Sequence, residues 1–138
     1  MPELDDTIPI GDDELLFRRV PVSMNWYDAS AGLSPLAFRP RDGDATGISV
    51  LRGAPYNTPE AAGRGPSKKG YFVAILRAGN LRKNGILMQP APMEGTSGHA
   101  EITSLTAANR ESDEARAMMV KLAHELCLHV EGPFQTPE

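Results

Sequence analysis

His99 and Glu101 stand two apart in the run Gly98-His99-Ala100-Glu101-Ile102-Thr103. On a strand that spacing puts both side chains on one face, with Ala100 and Ile102 on the other. An imidazole beside a carboxylate suits general acid–base chemistry. The histidine moves a proton near neutral pH, and the glutamate orients it or acts itself. Arg18 and Arg19 are adjacent. On a strand they point to opposite faces, one solvated and one half-buried and in need of a carboxylate or phosphate. His124 and His129 lie five apart and do not share a helix face, and Cys127 is the single cysteine. Neither a histidine-pair nor a cysteine-pair zinc site is expected, and no intrachain disulfide can form. Cys127 reads as a small core residue on or near the buried face of a C-terminal helix.

A second set of residues suits binding rather than reaction. The stretch from Ala61 to Met93 holds Arg64, Lys68, Lys69, Arg77, Arg82 and Lys83 and no acid. The first seventeen residues hold Glu3, Asp5, Asp6, Asp12, Asp13 and Glu14 and no base. A net charge of −4 therefore hides an asymmetry, and an anion is drawn to the middle of the chain. The loop Gly63 to Gly70 lacks the G-x-x-x-x-G-K-[ST] spacing of a phosphate loop and precedes a strand instead of following one. Nucleotide binding of that type is excluded, and no cofactor is expected. A contact with nucleic-acid phosphates or an acidic protein partner through residues 64–83 is the expectation that survives.

The elements that must position these residues follow from the apolar pattern. Tyr71-Phe72-Val73-Ala74-Ile75-Leu76 is the least polar run, too short for a membrane span and too continuous for a solvated strand. It predicts a strand buried on both faces at the centre of a small sheet. Leu15 to Val20, Ile48 to Leu51, Ile86 to Met88 and His99 to Thr103 predict further strands. Thr58-Pro59 predicts a short helix that Gly63 ends. Arg77 to Gly85 reads as a helical turn or a long hairpin loop. Trp26, the one tryptophan, reads as a core anchor before it reads as a platform for a ligand. From Glu111 to Glu131, Ala115, Met118, Met119, Leu122, Leu126 and Val130 recur at helical steps behind a cap at Ser112. Gly132-Pro133 stops that helix.

At 138 residues the simplest organisation is one domain. The 13 glycines and 12 prolines argue for short elements and many turns, against a helical bundle. The expected fold class is α+β: a small mixed or antiparallel sheet with a long C-terminal amphipathic helix on one face. Residues 1–13 read as a mobile acidic arm and 133–138 as a loose tail. With no basic leader before an apolar run, the expected compartment is the cytoplasm, away from membranes.

Leu16-Phe17-Arg18-Arg19-Val20, Ser34-Pro35-Leu36-Ala37-Phe38, Ile48-Ser49-Val50 and Gly98-His99-Ala100-Glu101-Ile102 together resemble a group of uncharacterised small bacterial proteins. Those carry an Arg-Arg strand, a Ser-x-x-Ala-Phe step, a Ser-Val strand and a late His-Ala. The resemblance implies a shared fold and no activity. A set of Arg18 or Arg19, Ser34 and Glu101 also resembles, in residue types, what ADP-ribosyltransferase-like folds use. There the arginine holds the dinucleotide, the serine the ribose and the glutamate the reacting centre.

Two functions follow. The leading expectation is a non-enzymatic binding or accessory module, of a bacterial defence or toxin–antitoxin system, that meets an acidic protein or nucleic acid through Arg64, Lys68, Lys69, Arg77, Arg82 and Lys83. The alternative is a small enzyme, ADP-ribosyltransferase-like or a hydrolase, built on Arg18, Arg19, Ser34, His99 and Glu101. Convergence of His99, Glu101 and an arginine in one cleft favours the second.

Overall fold

Strands β1 (Leu15–Pro21), β4 (Ile48–Arg52), β5 (Tyr71–Arg77), β6 (Met88–Pro90), β7 (His99–Ile102) and β8 (His129–Phe134) form one sheet in the order β6-β7-β4-β1-β5-β8. Every neighbouring pair is antiparallel. Between β1 and β4 lies a two-stranded hairpin of β2 (Tyr27–Asp28) and β3 (Gly32–Leu33). Short helices α1 (Pro59–Ala62) and α2 (Ala78–Lys83) flank β5, and α3 (Asp113–Lys121) follows β7. The class is α+β with an antiparallel sheet. The computed structural model describes residues 5–135.

β5 buries Val73, Ala74, Ile75 and Leu76. Ala74 and Leu76 enter the core under the helices, while Val73 and Ile75 enter a second cluster on the opposite face. Burial on both sides is the reason for a continuous apolar run. The strand is not central, however: β1 and β8 flank it, and β8 is the edge.

Ser112 caps α3, its Oγ accepting the Ala115 N–H at 3.1 Å. The acids Asp113 and Glu114 occupy the first turn, where the helix dipole is positive. The helix widens into a π turn over Leu122–Leu126. Ala115, Met119, Leu122, Ala123 and Leu126 pack on Leu16, Val20, Ile48, Val50, Ala100 and Ile102. The long C-terminal helix expected to reach Glu131 is not formed. After Leu126 the chain extends into β8, where Val130 pairs with Ala74 and His129 with Ile75. The unpaired edge of β5 outcompetes helix continuation, because its buried backbone groups need partners. The Leu128 N–H begins the pairing at 2.8 Å from the Ile75 carbonyl. Gly132-Pro133 does not end a helix. It lies in the outermost strand, where a missing N–H is tolerated. Phe134 packs on the second cluster, so the expected loose tail belongs to the sheet at least that far. Residues 136–138 lie outside the described ones.

The acidic arm is docked from Asp5 onward, and residues 1–4 lie outside the described ones. Ile10 is buried in the helix-side core. The guanidinium of Arg52 donates to the carbonyls of Asp6, Ile8 and Pro9 and holds Glu14 with two prongs. Among the described residues no helix is long and apolar enough to cross a membrane.

Candidate functional site: a groove beside a short ladder

β1 and β5 share seven residue pairs, and β4 and β7 share four. Between β1 and β4 only Leu16↔Arg52 and Phe17↔Leu51 pair. Beyond them the carbonyl of Ser49 accepts from a side chain instead of a strand: Arg18 Nη1 donates to it at 2.8 Å. Arg18 Nε donates to the Ala37 carbonyl at 3.0 Å. One guanidinium thus spans from the 3₁₀ turn Pro35–Phe38 to β4, in the place of the missing ladder.

A groove opens there on the sheet face opposite α3. Phe17, Leu51 and His99 form one row across it, because Leu51 pairs with both of the others. Two residues along each strand, Arg19, Ser49 and Glu101 share that face. A hollow of about 270 Å³ is lined by Phe17, Arg18, Arg19, Ser49, Met93 and His99 among others. It continues one way into about 230 Å³ lined by Trp26, Arg41, Asp44 and Tyr71 with both arginines. The other way it continues into a shallower hollow with His99, Glu101, Asp44 and Thr46. Ser49 lines all three.

His99 Nδ1 lies 2.7 Å from the Ala91 carbonyl, and Nε2 lies 3.1 Å from Ser49 Oγ. Glu101 does not orient His99. Its two carboxylate oxygens accept from Thr46 Oγ1 at 2.8 and 3.0 Å. Arg19 donates from Nε to the Ala62 carbonyl at 2.6 Å and lies 5.5 Å over the Tyr71 ring. Arg18 keeps some exposed surface as a residue, but its guanidinium lies deep between the strands. That burial pulls its pKa down to about 10, with Asp44 opposing the shift and the charge of Arg41 adding to it. The group stays protonated at neutral pH, with its charge poorly solvated.

Seven of the ten arginines pair with a carboxylate: Arg39, Arg52, Arg64, Arg77, Arg82, Arg110 and Arg116. Among the described residues the three without such a partner are Arg18, Arg19 and Arg41. All three line the same hollow. Asp44 sits among them, but its carboxylate accepts the Arg41 backbone N–H at 2.7 Å.

The residues singled out from sequence divide accordingly. Arg18, Arg19, His99 and Glu101 come together. Ser34 does not: its Oγ caps the 3₁₀ turn at 3.1 Å from the Leu36 N–H and lines none of these hollows. The serine at the site is Ser49, which outward alternation against Ile48 and Val50 could have flagged. Arg41 sits in a turn that carries no periodic signal. The basic stretch is not one surface. Lys68 and Lys69 are exposed before β5, whereas Arg77 ends it and Arg82 and Lys83 come after it, about 20 Å away at 3.3 Å per residue over β5. Arg64 pairs with Glu60, Arg77 with Asp13 and Arg82 with Asp12. Part of the charge asymmetry is therefore satisfied inside the molecule. Burial pushes the Cys127 thiol up, opposed by its hydrogen bonds with the backbone of Ile75 and His129, so it is a poor nucleophile.

The class is α+β, a six-stranded antiparallel sheet with an arginine-lined groove on the face opposite α3. No protein-family model, curated protein or solved structure matches the chain.

Proposed function

We propose that this protein binds a small anionic molecule in the groove through Arg18, Arg19 and Arg41. The supporting observation is the coincidence of three carboxylate-free arginines in one hollow of a chain whose other arginines are all paired. Guanidinium forks match carboxylate and phosphate geometry, and a poorly solvated cation is relieved by an arriving anion. The two hollows that the arginines line are of small-ligand size, too confined for a duplex. Trp26 and Tyr71 add apolar surface at the arginine end.

This reading replaces the acidic protein or nucleic acid expected from the sequence with a small anion, and the contact surface at residues 64–83 with the groove. Thermal unfolding with millimolar pyrophosphate tests it. A ligand that binds only the folded chain raises stability by about 2.7 kcal/mol at a hundred times its Kd. The expected result is a raised Tm in the wild type and little rise in Arg19→Gln and Arg41→Gln. An equal Tm with and without pyrophosphate in the wild type overturns the proposal.

A further inference from the structure

We infer that Ser49 and His99 are a nucleophile and its base, and that the protein hydrolyses small carboxylic esters bearing a second, anionic group. The substrate class rests on the anion-binding reading above; the nucleophile pair rests on its own geometry.

The carbonyl of Ala91 can only accept, so the 2.7 Å contact places the imidazole proton on Nδ1. The lone pair is then on Nε2, which faces Ser49 Oγ at 3.1 Å. Residues 91 and 99 are tied a second time, the Ala91 N–H donating to the His99 carbonyl at 3.0 Å. The ring is therefore held in the tautomer and direction that a base for Ser49 needs. A main-chain carbonyl fills the orienting position that a carboxylate fills in the familiar triad. Ser49 is exposed to the groove, and among the described residues His99 is the one hydrogen-bond partner of its Oγ. An exposed serine has no desolvation to satisfy, so the fold does not require the contact.

The single histidine favours acyl over phosphoryl transfer. In a tetrahedral acyl intermediate, nucleophile and leaving group lie on the same side, within reach of one base. In-line displacement at phosphorus puts them opposite each other. The Arg18 guanidinium, 2.8 Å from the carbonyl of Ser49 itself, supplies positive charge beside the reacting centre.

Ser49 Oγ bonds to the ester carbon as its proton passes to His99 Nε2, and the carbonyl π pair moves onto oxygen. Collapse breaks the bond to the alcohol oxygen, which takes the proton from Nε2. Water then adds to the acyl-serine, giving its proton to Nε2. The second collapse frees the carboxylic acid and returns the proton to Oγ. Ester and water become acid and alcohol, with nothing oxidised or reduced. Arg19 and Arg41 hold the distal anionic group.

The test treats the full chain with a fluorophosphonate probe, maps the adduct by mass spectrometry, and follows hydrolysis of 4-nitrophenyl hemisuccinate against 4-nitrophenyl acetate. One adduct is expected, at Ser49. It is absent in Ser49→Ala and formed at least about 100-fold more slowly in His99→Gln, as loss of a general base implies. Unchanged melting temperatures in both variants show that folding is intact. Hemisuccinate is expected to be the better substrate, with the preference lost in Arg41→Gln. A folded wild type with no adduct at Ser49, or labelling that His99→Gln does not slow, overturns the nucleophile pair. Pyrophosphate stabilisation measured on the same samples separates the two ideas. Stabilisation without labelling overturns the catalytic pair alone, and labelling with neither stabilisation nor hemisuccinate preference overturns the anionic substrate class alone.

Discussion

Arg52 grips Glu14 with two hydrogen bonds, Nε to Oε2 at 2.8 Å and Nη2 to Oε1 at 2.6 Å, and its side chain has no exposed surface. The same guanidinium takes the carbonyls of Asp6, Ile8 and Pro9 and lies 4.7 Å from the Tyr56 ring centroid. It is the post around which the acidic arm is wrapped. Arg52→Met leaves a carboxylate and three carbonyls without their donor. Breaking a buried pair from one side costs about 3–5 kcal/mol. Urea unfolding should show a loss of that order, with a smaller one for Glu14→Gln, which keeps an acceptor.

Acid should weaken the same clasp. Burial pushes Glu14 up, but the Arg52 hydrogen bonds, the Gly11 N–H and the charges of Arg52 and Arg82 outweigh it and hold the carboxyl below its ordinary value of 4.5. A depressed folded pKa means the stabilisation is fully present above that ordinary value and fades as pH falls through the folded one. The stability gap between the wild type and Glu14→Gln is therefore expected to be widest near neutral pH and to close below 4.5. A gap that stays constant into acid contradicts the clasp.

Arg18→Lys is expected to be costly although it preserves charge. An ammonium cannot reach both the Ala37 and Ser49 carbonyls as the planar fork does. Losing one such bond costs about 1–3 kcal/mol. Arg41→Lys, at an exposed turn, should leave unfolding unchanged.

Two glycines with similar backbones should respond differently to alanine. Gly70 has φ +82°, and a Cβ there would stand 2.0 Å from the Phe134 carbonyl oxygen, so β8 must move. Gly85 has φ +72° and open space around it. Gly85→Ala is expected to cost about 1–2 kcal/mol, the strain of a left-handed backbone alone. Gly70→Ala should cost distinctly more and loosen the β5–β8 pairing, a difference that amide exchange at Val130 can follow.

Lys68→Glu with Lys69→Glu should leave both stability and pyrophosphate binding intact. Both side chains are exposed and line none of the hollows of the groove. Loss of the pyrophosphate effect in that double variant would return attention to the loop before β5.

Much of the sheet was legible because burial writes itself into residue type. Val73 to Leu76 are apolar since both faces are covered, and Ala100 and Ile102 alternate with His99 and Glu101 since one face is covered. The caps at Thr58 and Ser112 were legible because a side-chain oxygen two or three residues ahead of an amide is a local device. β8 was not. His129 to Phe134 contains Gly-Pro and follows a helical apolar period, and only the free edge of β5, a distant fact, makes it a strand. Val130 fitted the helical count by coincidence and reaches the core from β8. At the site, His99 and Arg19 were nameable from type alone. The outward face of Ser49 was legible, but its contact with His99 was not, because that contact is diagonal across β4 and β7 and strand pairing cannot be read from either strand by itself.

The narrow join between β1 and β4 divides the sheet into two ribbons of three strands, β6-β7-β4 and β1-β5-β8. The groove is the seam between them. Its gauge is set from the far side, where Arg18 anchors to Ala37 beneath the layer that Phe38 and α3 build. The groove's width and the packing of the helix layer therefore share one side chain, and the anion affinity proposed for the groove is expected to respond to substitutions in that layer at residues that line none of its hollows.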